Sequence, residues 1–139
     1  MIVPKEYLEE YGIRPSVQRV AVMQYLLTHR THPTVDEIYT ALQPEIPALS
    51  RTTVYNTLHT LTRSGAILSL TIDNDNAHFD GYTAPHAHFL CTRCGRIYDV
   101  DLDDRDFVER NRPHNAASVT DAQLFYKGIC NDCQNKNNN

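Results

Sequence analysis

Before residue 85 the apolar positions repeat at helical spacing three times and then alternate. In "PSVQRVAVMQYLLTHR" (residues 15–30) Val17, Val20, Met23 and Leu27 recur three and four apart, which predicts a core-facing helix with Pro15 in its first turn. "TVDEIYTAL" (34–42) predicts a second helix. Thr34 is its N-cap with Glu37 three residues on, Val35, Ile38, Tyr39 and Leu42 share one side, and Pro44 and Pro47 end it. "SRTTVYNTLHTLTRSG" (50–65) predicts a third, opened by Ser50, closed by Gly65 and buried along Val54, Leu58 and Leu61. Its other face then carries Arg51, Thr52, Tyr55, Asn56 and His59. In "AILSLTI" (66–72) the period changes: Leu68, Leu70 and Ile72 alternate with Ser69 and Thr71, "DNDN" supplies a turn, and "AHFDGY" returns as a partner strand.

Three helices followed by a hairpin is the layout of a winged helix, whose last helix enters the major groove of DNA. From Pro85 the pattern changes to strands near 86–90 and 96–100, an acidic helix near 103–111 and a strand near 118–128. The expected class is α+β, with a winged-helix domain over 1–79, a hinge over 80–86, a small α/β domain over 87–134 and a disordered polar tail at 135–139.

Composition adds constraints. With 139 residues and 41% hydrophobic residues the chain can bury a modest core. No apolar run approaches the roughly 20 residues a bilayer requires, and no basic-then-apolar leader opens the sequence, so a cytoplasmic protein without membrane partners is expected. The net charge of −4 argues against indiscriminate nucleic-acid binding. Yet residues 11–35 hold Arg14, Arg19 and Arg30 and residues 46–72 hold Arg51 and Arg63, with no acid in either stretch, while acids crowd into "DVDLDDRD" at 99–106. Positive charge therefore gathers on the predicted helices. Arg51, Thr52, Tyr55 and Asn56 are assigned to the major-groove face, Arg19 to phosphate, and Arg14 to phosphate or the minor groove; a solvated polar face would look much the same.

Cys91, Cys94, Cys130 and Cys133 form two C-x-x-C pairs. In a reducing compartment such pairs point to metal or redox chemistry, and four thiolates make a closed tetrahedral Zn²⁺ site with no position for substrate. The competing readings are a redox dithiol and buried free thiols. His86 and His88 are two apart, so on a strand both rings share a face, half a metal site with Asp99 on the following strand. Asp80 lies six residues before His86, and His32 precedes the second helix; taken alone, a histidine such as His32 is more often a surface or packing residue.

The succession "HPTVDEIYTAL", "SRTTVYNTLHTLTRSGAI", "HFD", "HAHFLCTRCGRIYDV" and "YKGICNDC" resembles the ferric uptake regulator superfamily over nearly the whole chain, and most of all its peroxide-sensing branch. The resemblance implies a winged helix joined by a hinge to a zinc-containing dimerisation domain, with His32, Asp80, His86, His88 and Asp99 holding a regulatory Fe²⁺ or Mn²⁺. It also implies peroxide-driven oxidation of His32 or His86, followed by release from DNA. "PHAH" stands where iron-sensing relatives carry "HHDH", Asp80 supplies the hinge carboxylate where they have glutamate, and Asn56 resembles the peroxide sensors. His78 departs from the arginine usual before "FD" and is treated as a surface residue.

The implied protein is a homodimeric, metal-dependent repressor of a palindromic operator that senses hydrogen peroxide. The alternative is an iron-responsive repressor of the same fold, and behind it a zinc-responsive one. A zinc hydrolase using His86, His88 and Asp99 would need a general base, and no H-E-x-x-H, nucleophile elbow or phosphate loop is present, so no catalytic residue is assigned. A zinc-stabilised interaction module would leave the winged-helix pattern unused.

Overall fold

A computed structural model describes residues 1–104 and 106–137, which divide into two compact units, Met1–Thr83 and Ala84–Asn139. The first contains helices α1 (Pro4–Glu10), α2 (Val17–Thr28), α3 (Val35–Leu42) and α4 (Arg51–Ser64), then strands β1 (Leu68–Leu70) and β2 (His78–Asp80), paired antiparallel. The second contains β3 (Ala87–Cys91), β4 (Ile97–Val100), α5 (Phe107–Arg110), β5 (Phe125–Gly128) and α6 (Asn131–Asn137).

The helix starts follow their caps. Ser16, Thr34 and Ser50 each accept the backbone N–H three residues on, and Gly65 ends α4 in the left-handed conformation at φ 86°. Pro15 therefore lies outside α2, one residue before the cap. The α2 stripe also differs from expectation: Val22, Met23 and Leu26 are buried, whereas Val17 is 72% exposed. This helix is apolar nearly all round, so several stripes fit its sequence and packing selects among them. Val54, Leu58 and Leu61 of α4 and Ile38 and Leu42 of α3 are buried as their spacing requires.

α1 and α6 are the helices periodicity missed, because seven residues are too few to establish a stripe. In α1, Pro4 occupies the first turn, Leu8 is fully buried, and the Tyr7 hydroxyl donates to the Ala66 carbonyl at 2.6 Å. Strand β2 ends at Asp80, and Gly81 lies against α2 so closely that an added Cβ would stand 3.1 Å from the Leu26 carbonyl oxygen. The division between the units, after Thr83, falls within the span 80–86 given to the hinge.

In the second unit the strand order is β4-β3-β5, with β3 antiparallel to β4 and parallel to β5. The register sets His88 opposite Asp99 and Cys91 opposite Gly128. β5 is shorter than the strand expected over 118–128, and α5 is a single turn within the helix expected at 103–111. α6 extends through residues 135–137 of the polar tail; Asn138 and Asn139 lie outside the described residues, as does Arg105. The buried apolar residues here are few, and Cys91, Cys130 and Cys133 are the cluster against which Phe89 and Tyr98 pack. A core this small needs a further tie.

Candidate metal centres

The four cysteine sulfurs converge. One Sγ from each of Cys91, Cys94, Cys130 and Cys133 lies within 4.8 Å of the others, with Cys91 to Cys133 at 3.8 Å and Cys94 to Cys130 at 3.9 Å. Ligands about 2.3 Å from one tetrahedral zinc stand about 3.8 Å apart, so these spacings fit the edges of a ZnS₄ tetrahedron; a disulfide would need about 2.05 Å. The backbone prepares the site. Cys94 and Cys130 each donate an N–H to Cys91 Sγ at 3.4 Å, and Cys133 donates to Cys130 Sγ at 3.4 Å. Those donors, the Cys94 N–H first, lower the Cys91 thiol to about 6, below its usual range. Cys130 is also lowered, chiefly by the Tyr98 hydroxyl, while hydrogen bonding to Cys130 and burial push Cys133 up to about 12. Without a cation, neighbouring sulfurs share protons and oppose one another's ionisation; a divalent ion removes that conflict.

Each unit also holds an imidazole–carboxylate group of its own. In the first, His32 Nε2 stands 3.6 Å from Asp80 Oδ2, and both side chains are almost wholly buried. Tyr82 N–H donates to Asp80 Oδ1 at 2.8 Å, which orients the carboxylate with its other oxygen towards His32. In the second, Asp99 Oδ1 lies between two imidazoles, 3.3 Å from His86 Nε2 and 3.4 Å from His88 Nε2. His86 precedes the first residue of β3, yet its ring remains beside that of His88, with centroids 4.4 Å apart. Its Nδ1 donates to the Ala84 carbonyl at 2.7 Å, so in the neutral ring Nε2 keeps its lone pair.

The separations favour ion sharing over direct ion pairing. A charged N–H to carboxylate hydrogen bond is about 2.7–2.9 Å long. Two ligand atoms about 2.1 Å from a common ion stand roughly 3.0–3.5 Å apart, depending on coordination angle. The 3.3 and 3.4 Å pairs fit the second case, the 3.6 Å pair lies just beyond it and none has the length of a direct ion pair; these donors suit a divalent ion without sulfur preference.

The face of α4 predicted to read DNA is exposed at Arg51, Thr52, Tyr55, Asn56 and His59. Arg51 is not idle there: its Nε donates to Asp36 Oδ1 at 2.8 Å, and its guanidinium lies 4.6 Å from the centroid of the Tyr39 ring. Arg19 donates to the Arg14 carbonyl at 2.9 Å, which joins two of the residues assigned to DNA. Sequence reasoning missed Asp36 and Tyr39 as neighbours of Arg51, a relation set by packing of α3 on α4. It also misplaced His78. That side chain is only 12% exposed, with Nδ1 donating to the His32 carbonyl at 2.7 Å and Nε2 lying 3.0 Å from Asp73 Oδ2.

Residues 10–127 match the Ferric uptake regulator family. The chain is 38% identical over 130 residues to the "Peroxide-responsive repressor PerR" of Staphylococcus aureus (strain Mu50), covering 93% of this chain and 88% of that protein. Among solved structures it is similar to PerR from Streptococcus pyogenes, with 36% identity, TM-score 0.51, and coverage of 93% of this chain and 89% of that one. It is also similar to the Campylobacter jejuni peroxide stress regulator, with 28% identity, TM-score 0.70, and coverage of 93% and 95%.

Proposed function

The chain belongs to the ferric uptake regulator family, a metal-responsive transcriptional regulator rather than an enzyme, and we propose that it is a homodimeric repressor that senses hydrogen peroxide. In this reading Cys91, Cys94, Cys130 and Cys133 hold a permanent Zn²⁺. His32, Asp80, His86, His88 and Asp99 hold an exchangeable Fe²⁺ or Mn²⁺.

The observation that carries the reading is the pair of half-sites, each with imidazole and carboxylate at ligand-edge spacing and none with sulfur. His32 and Asp80 come from one unit and His86, His88 and Asp99 from the other, so an ion using all five ties the units together. Such an ion binds the joined arrangement better than the separated one and shifts the population towards it. Bound Fe²⁺ supplies the redox chemistry by which peroxide is reduced beside the ligand imidazoles, whereas Mn²⁺ fills the same ligands without it. In the net reaction peroxide transfers one oxygen to a ring carbon of His32 or His86 and leaves as water. The altered ring would no longer offer the ion the same nitrogen lone pair beside its carboxylate partner, and the tie would be lost.

The first unit acts as a winged helix, with α4 as recognition helix, Arg51, Thr52, Tyr55 and Asn56 towards bases, and Arg14 and Arg19 towards the backbone. A two-fold dimer through the second unit sets two such helices on successive major grooves, so the operator is a palindrome. Among the described residues no helix is long and apolar enough to cross a membrane, and the protein acts in the cytoplasm.

The test uses an operator selected from random duplex by the Mn²⁺-loaded protein. Fe²⁺- and Mn²⁺-loaded protein are compared on it before and after dilute hydrogen peroxide, with mass spectrometry of the His32 and His86 peptides. Release only in the iron form, with one added oxygen on either peptide, is expected. Unmodified histidines and unchanged binding would move the assignment to the iron-responsive alternative.

A further inference from the structure

His78 belongs to neither half-site, yet it holds the backbone of a residue that does. Its Nδ1 lies 2.7 Å from the His32 carbonyl oxygen and its Nε2 3.0 Å from Asp73 Oδ2. A carbonyl only accepts, so Nδ1 is the donor there, and the opposite ring nitrogen faces the carboxylate. Asp73 is itself fixed in the hairpin turn by the Asp75 N–H at 2.9 Å. The contact therefore runs from the turn, through a mostly buried ring, to the loop that carries His32.

That loop needs holding. His32 has φ 58°, and among the described residues it is the one non-glycine with positive φ. L residues keep this conformation where the surroundings over-determine it. A donor fixed on the His32 carbonyl restricts the adjoining backbone torsion, and with it the direction in which the imidazole leaves the chain. The neighbouring bond acts likewise: Phe79 N–H donates to the Pro33 carbonyl at 3.0 Å. Two successive β2 residues thus clamp His32 and Pro33, and the third, Asp80, faces the His32 ring. One three-residue strand presents a carboxylate and holds its imidazole partner.

We propose that His78, anchored by Asp73, is a positioning residue that fixes the left-handed His32 backbone and so keeps the imidazole at ligating distance from Asp80. This rests on the reading of His32 as a ligand of the regulatory ion. What position 78 must provide is a donor to the His32 carbonyl on a side chain that also reaches Asp73. Arginine can do both, and phenylalanine fills similar space but donates nothing.

The test is Mn²⁺ titration of the full-length, zinc-loaded protein, read from the electron paramagnetic resonance of free Mn²⁺. It is paired with the thermal midpoint and hydrogen exchange at the Phe79 amide of the Mn²⁺-free protein. Wild type, H32A, H78F, H78R and D73A are compared. Loss of a group orienting a ligand typically costs 10–100-fold in metal affinity, so H78F is expected to weaken Mn²⁺ binding by about tenfold and to speed exchange at Phe79. H78R is expected to restore both to within about twofold, a rescue that lost packing alone would not produce. H78F binding as wild type, or H78R as weak as H78F, would overturn the proposal. Should H78F fail to fold, D73A carries the test: a several-fold loss supports the anchor and unchanged affinity overturns it. Equal Mn²⁺ binding by wild type and H32A would remove His32 as a ligand and this role with it. Weak binding by H32A beside normal binding by H78F would remove only the role of His78.

Discussion

His88 and Asp99 face one another across the β3–β4 pair, with Nε2 and Oδ1 3.4 Å apart, and the backbone register alone sets them opposite. Because the strands are fixed, side-chain length decides where the carboxylate oxygen stands. Asp99→Glu adds one methylene and carries that oxygen past the point between His86 and His88. Mn²⁺ affinity is expected to fall tenfold or more, about 1.4 kcal/mol, with little change in zinc content. Titration beside a zinc assay checks this, and an unchanged affinity would take Asp99 out of the site.

The second unit should depend on its thiolates. With Cys91, Cys130 and Cys133 as its principal buried cluster, Cys133→Ser removes a ligand and opens the core together. Structural zinc contributes roughly 10–16 kcal/mol to such folds, so the variant is expected to lose its zinc and the exchange protection of β3, β4 and β5. Elemental analysis and hydrogen exchange are the measurements. Stoichiometric zinc with intact strand protection would show that three sulfurs suffice.

Arg51, assigned to DNA in the proposed reading, already has a partner within the protein. Its partner Asp36 is exposed, as is Arg51 itself, and an exposed pair contributes about 0–1 kcal/mol. Asp36→Ala is expected to tighten DNA binding by up to about fivefold, more for random than for operator sequence, because an unpaired guanidinium is drawn to any phosphate. Anisotropy titrations over a range of salt test it. Weaker binding to both sequences would mean instead that Asp36 positions Arg51 for its contact.

Tyr7 gives the first unit an alkaline limit. Burial, then hydrogen bonding with Tyr11, raises its phenol above the usual 10.0. A raised value means that the folded state favours the protonated phenol, so its contribution is complete below pH 10 and is lost as pH climbs above that. Tyr7→Phe is expected to cost about 1 kcal/mol at neutral pH by abandoning the Ala66 carbonyl. Above pH 10 the gap between the two melting temperatures should narrow. A constant gap from pH 8 to 11 would dissociate Tyr7 from the alkaline loss.

Much of this fold was legible because local chemistry and packing agree. Ser16, Thr34, Ser50 and Gly65 mark helix ends by bonds formed within a few residues, and the alternation from Leu68 to Ile72 has only one reading. α2 was harder since its apolar residues encircle it, and α1 was too short to show a period. Of the candidate sites, C-x-x-C spacing declared the sulfur cluster, and two-residue spacing put His86 beside His88. His78 was read as a surface residue because its partners, Asp73 and the His32 carbonyl, meet it through the hairpin and through a left-handed turn. Neither has a signature in residue type. The same holds for Arg51, whose partners lie on another helix.

Strand β3 carries His88 and, three residues later, Cys91, the thiol that receives two backbone donors and lies opposite Gly128. The two candidate metal centres therefore share a single short support. On the proposed reading, a chain without zinc would lack the fixed strand that holds His88 against Asp99, so scarcity of the metal held by sulfur would also weaken the site for the regulatory ion.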